Sequence, residues 1–292
     1  MILVVGDLVT DVLVGHDGPI EVGSDTDARI TVAGGGQAAN TAAWLAFAGA
    51  PVTLIASVGD DPAGHERVAE LTAAGVRCAV RFRPDAPTGS VVVLTSAGER
   101  TMITDRGAAL RLDAADVTAA VAAAPDATHL HLSGYPLLHA ESRPAGLAAL
   151  AAARARGLTT SVDAASAAPL RLAAAFLDWI RGVDLLLCNA DEADALAGPG
   201  SPIAQADLLT KSAANVVVKL GPAGAVWCRP SAPPASVRGE PAPTVDSTGA
   251  GDAFAAGLLA AWTSGAPPST ALSAGATLGA TAVSRVGARP VR

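Results

Sequence analysis

The sequence predicts an α/β fold. It reads as a three-layer α/β/α sandwich with a mostly parallel, doubly wound sheet and a small β-sheet lid. Three observations carry the prediction. Short continuous apolar runs, of the kind strands show when covered on both faces, recur along the 292 residues. Helix-like stretches rich in Ala and Leu separate them, and strand followed by helix, repeated, calls for a parallel sheet with helices on both sides. Two stretches, 11–33 and 76–106, break that rhythm by alternating apolar and polar residues. One domain over 1–292 is expected, with a small β appendage, a lid or a dimer surface, made of insertions at about 11–33 and 76–106.

The elements follow in order. ILVV (2–5) is a buried strand, and ARITVA within 11–33 is a half-exposed one. A helix is expected over 37–48, a strand at VTLIASV (52–58) and a helix over 62–74. VRFR, SVVVLTS and RTMIT, all within 76–106, alternate and read as antiparallel lid strands. Helix 113–124, strand THLHLS (128–133), helix 141–156, strand LTTSVD (158–163) and helix 166–180 continue the α/β rhythm. Then come strand VDLLLCN (183–189), helix 201–213 and strand NVVVKL (215–220). The Pro-rich 229–244 is a loop or an edge excursion, and helices over 250–264 and 268–284 follow.

Composition narrows the function. The net charge of −7 speaks against a general nucleic-acid binder and against recruitment to anionic membranes. Aromatic residues make up only 3%, so Ala, Val and Leu must fill the core. No stretch of 18 uncharged apolar residues has the look of a membrane span. The N-terminal MILVVGDLVTDVLVG carries Asp7 and Asp11 and no basic region, so it reads as a strand and not as a signal peptide. Cys78, Cys188 and Cys228 are odd in number and isolated in apolar runs, as reduced thiols of a cytoplasmic protein would be.

Two glycine-rich motifs carry the chemistry. In DSTGAGDAF (246–254), Gly249 and Gly251 flank the start of a helix whose first N–H groups lack partners. A helix N-terminus attracts a phosphate, and Asp252 in its first turn would repel that guest unless it served as a proton acceptor. Alone, the pattern is also ordinary capping. The second motif, AGGGQAAN (33–40), allows two readings. Gly34 to Ala39 fits the G-x-G-x-x-A fingerprint of a dinucleotide-binding oxidoreductase, with Asp60 and Asp61 about twenty residues on. Against that reading, the preceding ARITVA alternates like an exposed strand, whereas the fingerprint follows a buried one.

Taken together, the motifs resemble the ribokinase or PfkB family of sugar and nucleoside kinases over nearly the whole chain. The N-terminal signature matches Gly35 to Asn40, and the D-[TS]-x-G-A-G-D-x-F-x-x-G signature matches Asp246 to Gly257. An early G-x-x-x-x-D matches Gly6 to Asp11, N-x-x-E matches Asn189 to Glu192, and a nucleotide-side turn matches VVVKLGPAG (216–224). TGSVVVL and GERTMITDRGA resemble the family's lid strands.

The resemblance implies a ribokinase-like fold and transfer of the γ-phosphate of ATP to a primary hydroxyl of a small sugar or sugar derivative. Asp252 is then the base, and Gly249, Ala250 and Gly251 supply N–H groups to the transferred phosphoryl; no P-loop pattern is present. Asp11, Gly36 and Asn40 hold sugar hydroxyls, with Gly35 beside them, and Gln37 stands where many relatives place Lys. Asn189 and Glu192 organise Mg²⁺ through water. Lys219, Gly221 and Gly224 fall on the nucleotide side, and Ala276 stands where several relatives have a polar adenine contact. Asp246, Thr248 and Gly287 resemble a monovalent-cation site that would take K⁺.

The acceptor stays open between a sugar, a sugar acid and a ribonucleoside. Arg106 is the candidate for an acid's carboxylate, and Phe82 and Tyr135 are the candidates for a base slot. The lid is a candidate homodimer surface. His129 and His131 share one side of a strand, but no third metal ligand is nearby in the sequence, which favours a structural role.

Overall fold

The computed structural model describes residues 1–96 and 99–290. Ala97 and Gly98, inside the expected lid stretch, and Val291 and Arg292, at the end of the expected domain, lie outside the described residues. The chain starts with β1 (Ile2–Val5), β2 (Val9–His16), β3 (Ala28–Gly35) and α1 (Gln37–Phe47). It continues through β4 (Val52–Gly59), α2 (Pro62–Ala73), β5 (Arg77–Arg83), β6 (Thr88–Ser96), β7 (Glu99–Gly107) and α3 (Ala114–Ala122). Next come β8 (His129–Ser133), α4 (Tyr135–Leu138), α5 (Arg143–Ala155), β9 (Thr159–Asp163), α6 (Ala167–Leu170) and α7 (Phe176–Trp179). β10 (Leu185–Asn189), α8 (Ala190–Ala197), α9 (Pro202–Leu209), β11 (Val216–Lys219), β12 (Ala225–Cys228), β13 (Ala235–Val237), α10 (Ala250–Thr263) and α11 (Pro268–Val283) complete it.

Nine strands form the main sheet, in the order β13-β12-β11-β10-β9-β8-β1-β4-β5. From β11 to β5 every pairing is parallel, and β12 and β13 extend the sheet antiparallel. Continuous apolar strands need cover on both faces, and both have it. Leu3, Val5, Leu130 and Leu132 pack toward α3 and α5, while Ile2, Val4 and Leu54 pack toward α1, α10 and α11. The three-layer sandwich is therefore present. The carboxyl ends of β8, β9, β10 and β11 bring Ser133, Asp163, Asn189 and Lys219 to one edge, where open α/β sheets bind ligands.

A second, four-stranded sheet has the order β3-β2-β6-β7. β2 pairs antiparallel with β3 but parallel with β6, so the sheet is mixed where antiparallel strands were expected. Two further expectations change. VRFR lies in β5 and pairs parallel with β4 at the edge of the main sheet, so only β6 and β7 of the 76–106 stretch join the small sheet. An edge strand has one partner and a half-exposed face, so it alternates just as a lid strand does. The expected helix over 166–180 is two single-turn helices, α6 and α7. Burial of Leu170, Phe176 and Ile180 bends the chain between them and leaves Leu172 89% exposed, overriding the helix propensity of the Ala run.

Candidate active site

A cleft of about 730 Å³ lies between the carboxyl ends of the main sheet and the small sheet. Asp11, Gly36, Asn40, Arg106, Asn189, Glu192, Lys219, Thr248, Gly249, Gly251 and Asp252 all line it, so most of the residues singled out from the sequence converge. Gly35, Ala250, Gly221, Gly224, Asp246 and Gly287 do not line it. Gly221 and Gly224 shape the turn between β11 and β12. Gly224 has φ +104, and a Cβ there would meet the Val237 carbonyl at 2.0 Å.

The start of α10 forms one wall. Gly249 adopts φ +74, and an added Cβ would meet the Ala288 carbonyl oxygen at 2.3 Å, so only glycine suits the position. At Gly251 an added Cβ would find only the Lys219 ammonium, at 3.5 Å. The helix start is open to the cleft there, as an approaching anion requires. Asp252 sits in the first turn and accepts a hydrogen bond on Oδ2 from Asn40 Nδ2 at 2.9 Å. Burial pushes its carboxyl up to about 8, against the pull of the Asn40 bond, and the Asp163 carboxylate adds to the rise.

The floor is a polar chain that sequence reasoning did not foresee. Lys219 Nζ donates to Asp163 Oδ2 at 2.6 Å, and Gln37 Nε2 donates to Asp163 Oδ1 at 3.0 Å. Ser133 Oγ donates to Gln37 Oε1 at 2.6 Å. Burial alone would lower the Lys219 pKa, yet Asp163 and Glu192 hold the ammonium well above its ordinary value. Lys219 is thus a fixed cation beneath the helix start. Asp163 ends β9, Thr-Thr-Ser-Val-Asp, and belongs to no motif quoted above, so nothing local in the sequence marks it.

Asn189 and Glu192 form a capping box at the start of α8. Glu192 N donates to Asn189 Oδ1 at 2.9 Å, and both Glu192 oxygens accept from Asn189, each at 2.8 Å. Glu192 is only 3% exposed. Burial, then the neighbouring Asp163 carboxylate, push it up to about 7. A buried carboxyl pushed up by a second carboxylate beside it fits a divalent cation, whose charge would relieve it. Among the described residues no three His, Cys, Asp or Glu side chains converge to hold a metal unaided.

The glycine run 34–36 is explained by packing. A Cβ at Gly34 would overlap the Arg289 guanidinium, at Gly35 the Asp11 carboxylate, and at Gly36 (φ +101) the Asp7 carbonyl. Protein atoms fill the approaches that a pyrophosphate would use, and β3 lies in the small sheet, so the dinucleotide reading is not favoured. Asp11 faces the cleft, its carboxyl pushed up to about 6, chiefly by burial. Arg106 Nη1 donates to Asp7 Oδ2 at 3.1 Å, and its guanidinium lies 3.7 Å over the Tyr135 ring. The cation expected to meet a sugar acid is therefore already paired. Phe82 stacks on His65, 4.4 Å between centroids, and does not line the cleft.

Asp246 accepts from Thr248 N at 2.8 Å, Thr248 Oγ1 at 2.6 Å and Gly287 N at 2.9 Å, so these three residues do come together. His129 and His131 are wholly buried, bond Thr159 and Ser161 at 2.8 Å, and are held neutral, chiefly by burial, with pKa values of about 3 and about 4. They belong to the core. All three cysteines are free. No helix among the described residues is long and apolar enough to cross a membrane.

Known proteins resemble the chain in sequence and in fold. An adenosine kinase of Schizophyllum commune is 27% identical over 284 residues, 89% of this chain and 81% of that protein. A 2-dehydro-3-deoxygluconokinase of Thermoproteus tenax is 32% identical over 249 residues, 81% of this chain and 75% of that protein. The crystal structure of adenosine kinase from Sinorhizobium meliloti superposes with a TM-score of 0.90 at 25% identity, covering 100% of this chain and 96% of that one. The pattern of the pfkB family of carbohydrate kinases matches residues 1–291, and the chain, with its cleft and both glycine motifs within that span, belongs to this family of ATP-dependent kinases.

Proposed function

We propose that the chain transfers the γ-phosphoryl group of ATP to a primary hydroxyl of a small sugar or sugar derivative. The observation that carries this reading is Asp252. Its carboxyl is half-buried, raised and cation-flanked, in the first turn of a helix whose start opens onto the cleft that holds Asp11 and Asn40. Asp11 and Asn40 bind acceptor hydroxyls, with Gly35 and Gly36 giving them room. Asp252 takes the proton of the attacking hydroxyl. Backbone N–H groups of Gly249, Ala250 and Gly251, with Lys219 beneath them, offset the charge developing on the transferred group. Gly221 and Gly224 shape the turn that meets the nucleotide. Mg²⁺, when bound near Asn189 and Glu192, would supply charge neutralisation of the phosphates. Asp246, Thr248 and Gly287 would steady the helix start, with K⁺ as their cation.

A ribonucleoside is the second reading for the acceptor. The observation favouring it is the apolar underside of the small sheet, where Val9, Val91, Val93 and Met102 line the cleft and offer a surface for a base. A homodimer through the opposite face of that sheet is also proposed, because Ile30, Val32 and Ile103 are each about 60% exposed there. The test of the function is ADP release with MgATP across a panel of sugars, sugar acids and ribonucleosides. Absence of acceptor-dependent ADP with every class would overturn it.

A further inference from the structure

Arg289, in the last described turn of the chain, belongs to no motif, yet its side chain is only 14% exposed and touches the frame of the site. The residues before it are wedged in place. Gly287 N donates to Asp246 Oδ2 at 2.9 Å, and the Ala288 carbonyl accepts from Trp44 Nε1 at 2.9 Å while backing Gly249. The guanidinium then spreads over three partners. Nη2 donates to the Gly35 carbonyl at 2.8 Å, Nε to Asn40 Oδ1 at 3.1 Å, and Nη1 to Glu70 Oε2 at 3.4 Å.

A guanidinium has donors only, so it must face the oxygen of the Asn40 amide. The amide nitrogen is then turned to Asp252, and Nδ2 donates to Oδ2 at 2.9 Å. No donor from the described residues reaches Oδ1 of Asp252, which is left for the acceptor. We propose that Arg289 is a positioning residue: by fixing which way the Asn40 amide points, it aims the Asp252 carboxylate at the acceptor hydroxyl. The inference rests on Asp252 being the base of the reaction proposed above. Without Arg289 the amide is free to rotate and present its oxygen to the carboxylate, which repels it.

The test compares wild type, Arg289→Met, Asn40→Ala and the double variant, at saturating acceptor and MgATP. Arg289→Met is expected to lower kcat by about 10–100-fold, because misaiming a reacting group has costs of that order. KM for ATP should stay within about twofold, as Arg289 does not line the cleft. In the Asn40→Ala background the same change should cost less than about twofold, since the intermediary is gone. Glu70→Gln, which removes the charge of the outer partner and with it the ion pair of Glu70 to Arg67, should turn over like wild type.

An activity-independent readout accompanies these rates. The side-chain NH₂ signal of Asn40 in ¹⁵N spectra, identified by its loss in Asn40→Ala, should be slow to exchange in wild type and fast in Arg289→Met. Should Arg289→Met not fold, Arg289→Lys carries the same measurements, since it keeps the charge but not the fork. Equal kcat losses from Arg289→Met in both backgrounds, or an unchanged amide signal, would overturn the proposal. If no acceptor supports turnover of the wild type, the kinase reading fails by itself, and the amide signal still decides the role of Arg289.

Discussion

Asp252 meets two opposed demands, and pH separates them. Its carboxyl is raised from an ordinary 3.8 to about 8, chiefly by burial. To take a proton it must be ionised, so kcat/KM for the acceptor should rise with pH and level off above about 8. Replacing it with Asn keeps the shape and removes the proton acceptor. Asp252→Asn should lower kcat by about 10²–10⁴-fold with acceptor binding retained, and near-normal turnover of the purified variant would remove Asp252 from the mechanism. Stability runs the other way. Between about 4 and 8 the folded protein keeps a proton that the unfolded chain releases, so this contribution is complete below about 4 and lost as pH rises through about 8. Melting temperatures across that range should therefore fall less steeply for Asp252→Asn than for wild type. A parallel pair of curves would mean that the carboxyl titrates normally.

The helix start teaches how two glycines two residues apart differ. At Gly249, Ala must adopt φ +74 and place Cβ 2.3 Å from the Ala288 carbonyl. Gly249→Ala should lower the melting temperature, since a strained backbone costs about 1–3 kcal/mol before the clash is counted. At Gly251 the added carbon meets only Lys219 Nζ at 3.5 Å. Gly251→Val should therefore fold, by circular dichroism, while its turnover collapses because the side chain stands where the anion must sit. Unchanged kinetics would show that the phosphates bind elsewhere. The sequence made this element legible because its chemistry is local: glycine, glycine and aspartate follow one another in the chain. Asp163, Lys219 as its partner, and Arg289 were not legible as a network. Lys219 and Asp163 are 56 positions apart, and Arg289 meets Asn40 across 249, so only the fold joins them. The same limit misplaced VRFR. Alternation reports one exposed face, and it does not report which sheet owns the strand.

At the scale of the whole molecule the small sheet is the part with a choice of partners. Asp11 and Val91 face the cleft on one side, while Val12, Val32 and Ile103 share the other. A phosphoryl group in transfer is lost to water if the cleft stays open, so acceptor binding must draw a cover over it. The strands in reach are β2, β3, β6 and β7. On adding a true acceptor, hydrogen exchange should slow across 9–16, 28–35, 88–96 and 99–107. β5 supplies the internal control. It lies in the main sheet beside β4, so 77–83 should exchange at an unchanged rate. Protection in 77–83 with none in 88–96 would mean that the molecule closes along a different line and that the small sheet is not its lid. A homodimer adds a separable signature, because its outer-face protection depends on protein concentration and not on acceptor. Dilution that leaves exchange at Ile30 and Val32 unchanged, with a monomer mass by light scattering, would leave closure as the sheet's sole function. The apolar outer face would then have to be covered by no second copy, and the concentration-independent slowing on the inner strands would be the whole effect of the acceptor.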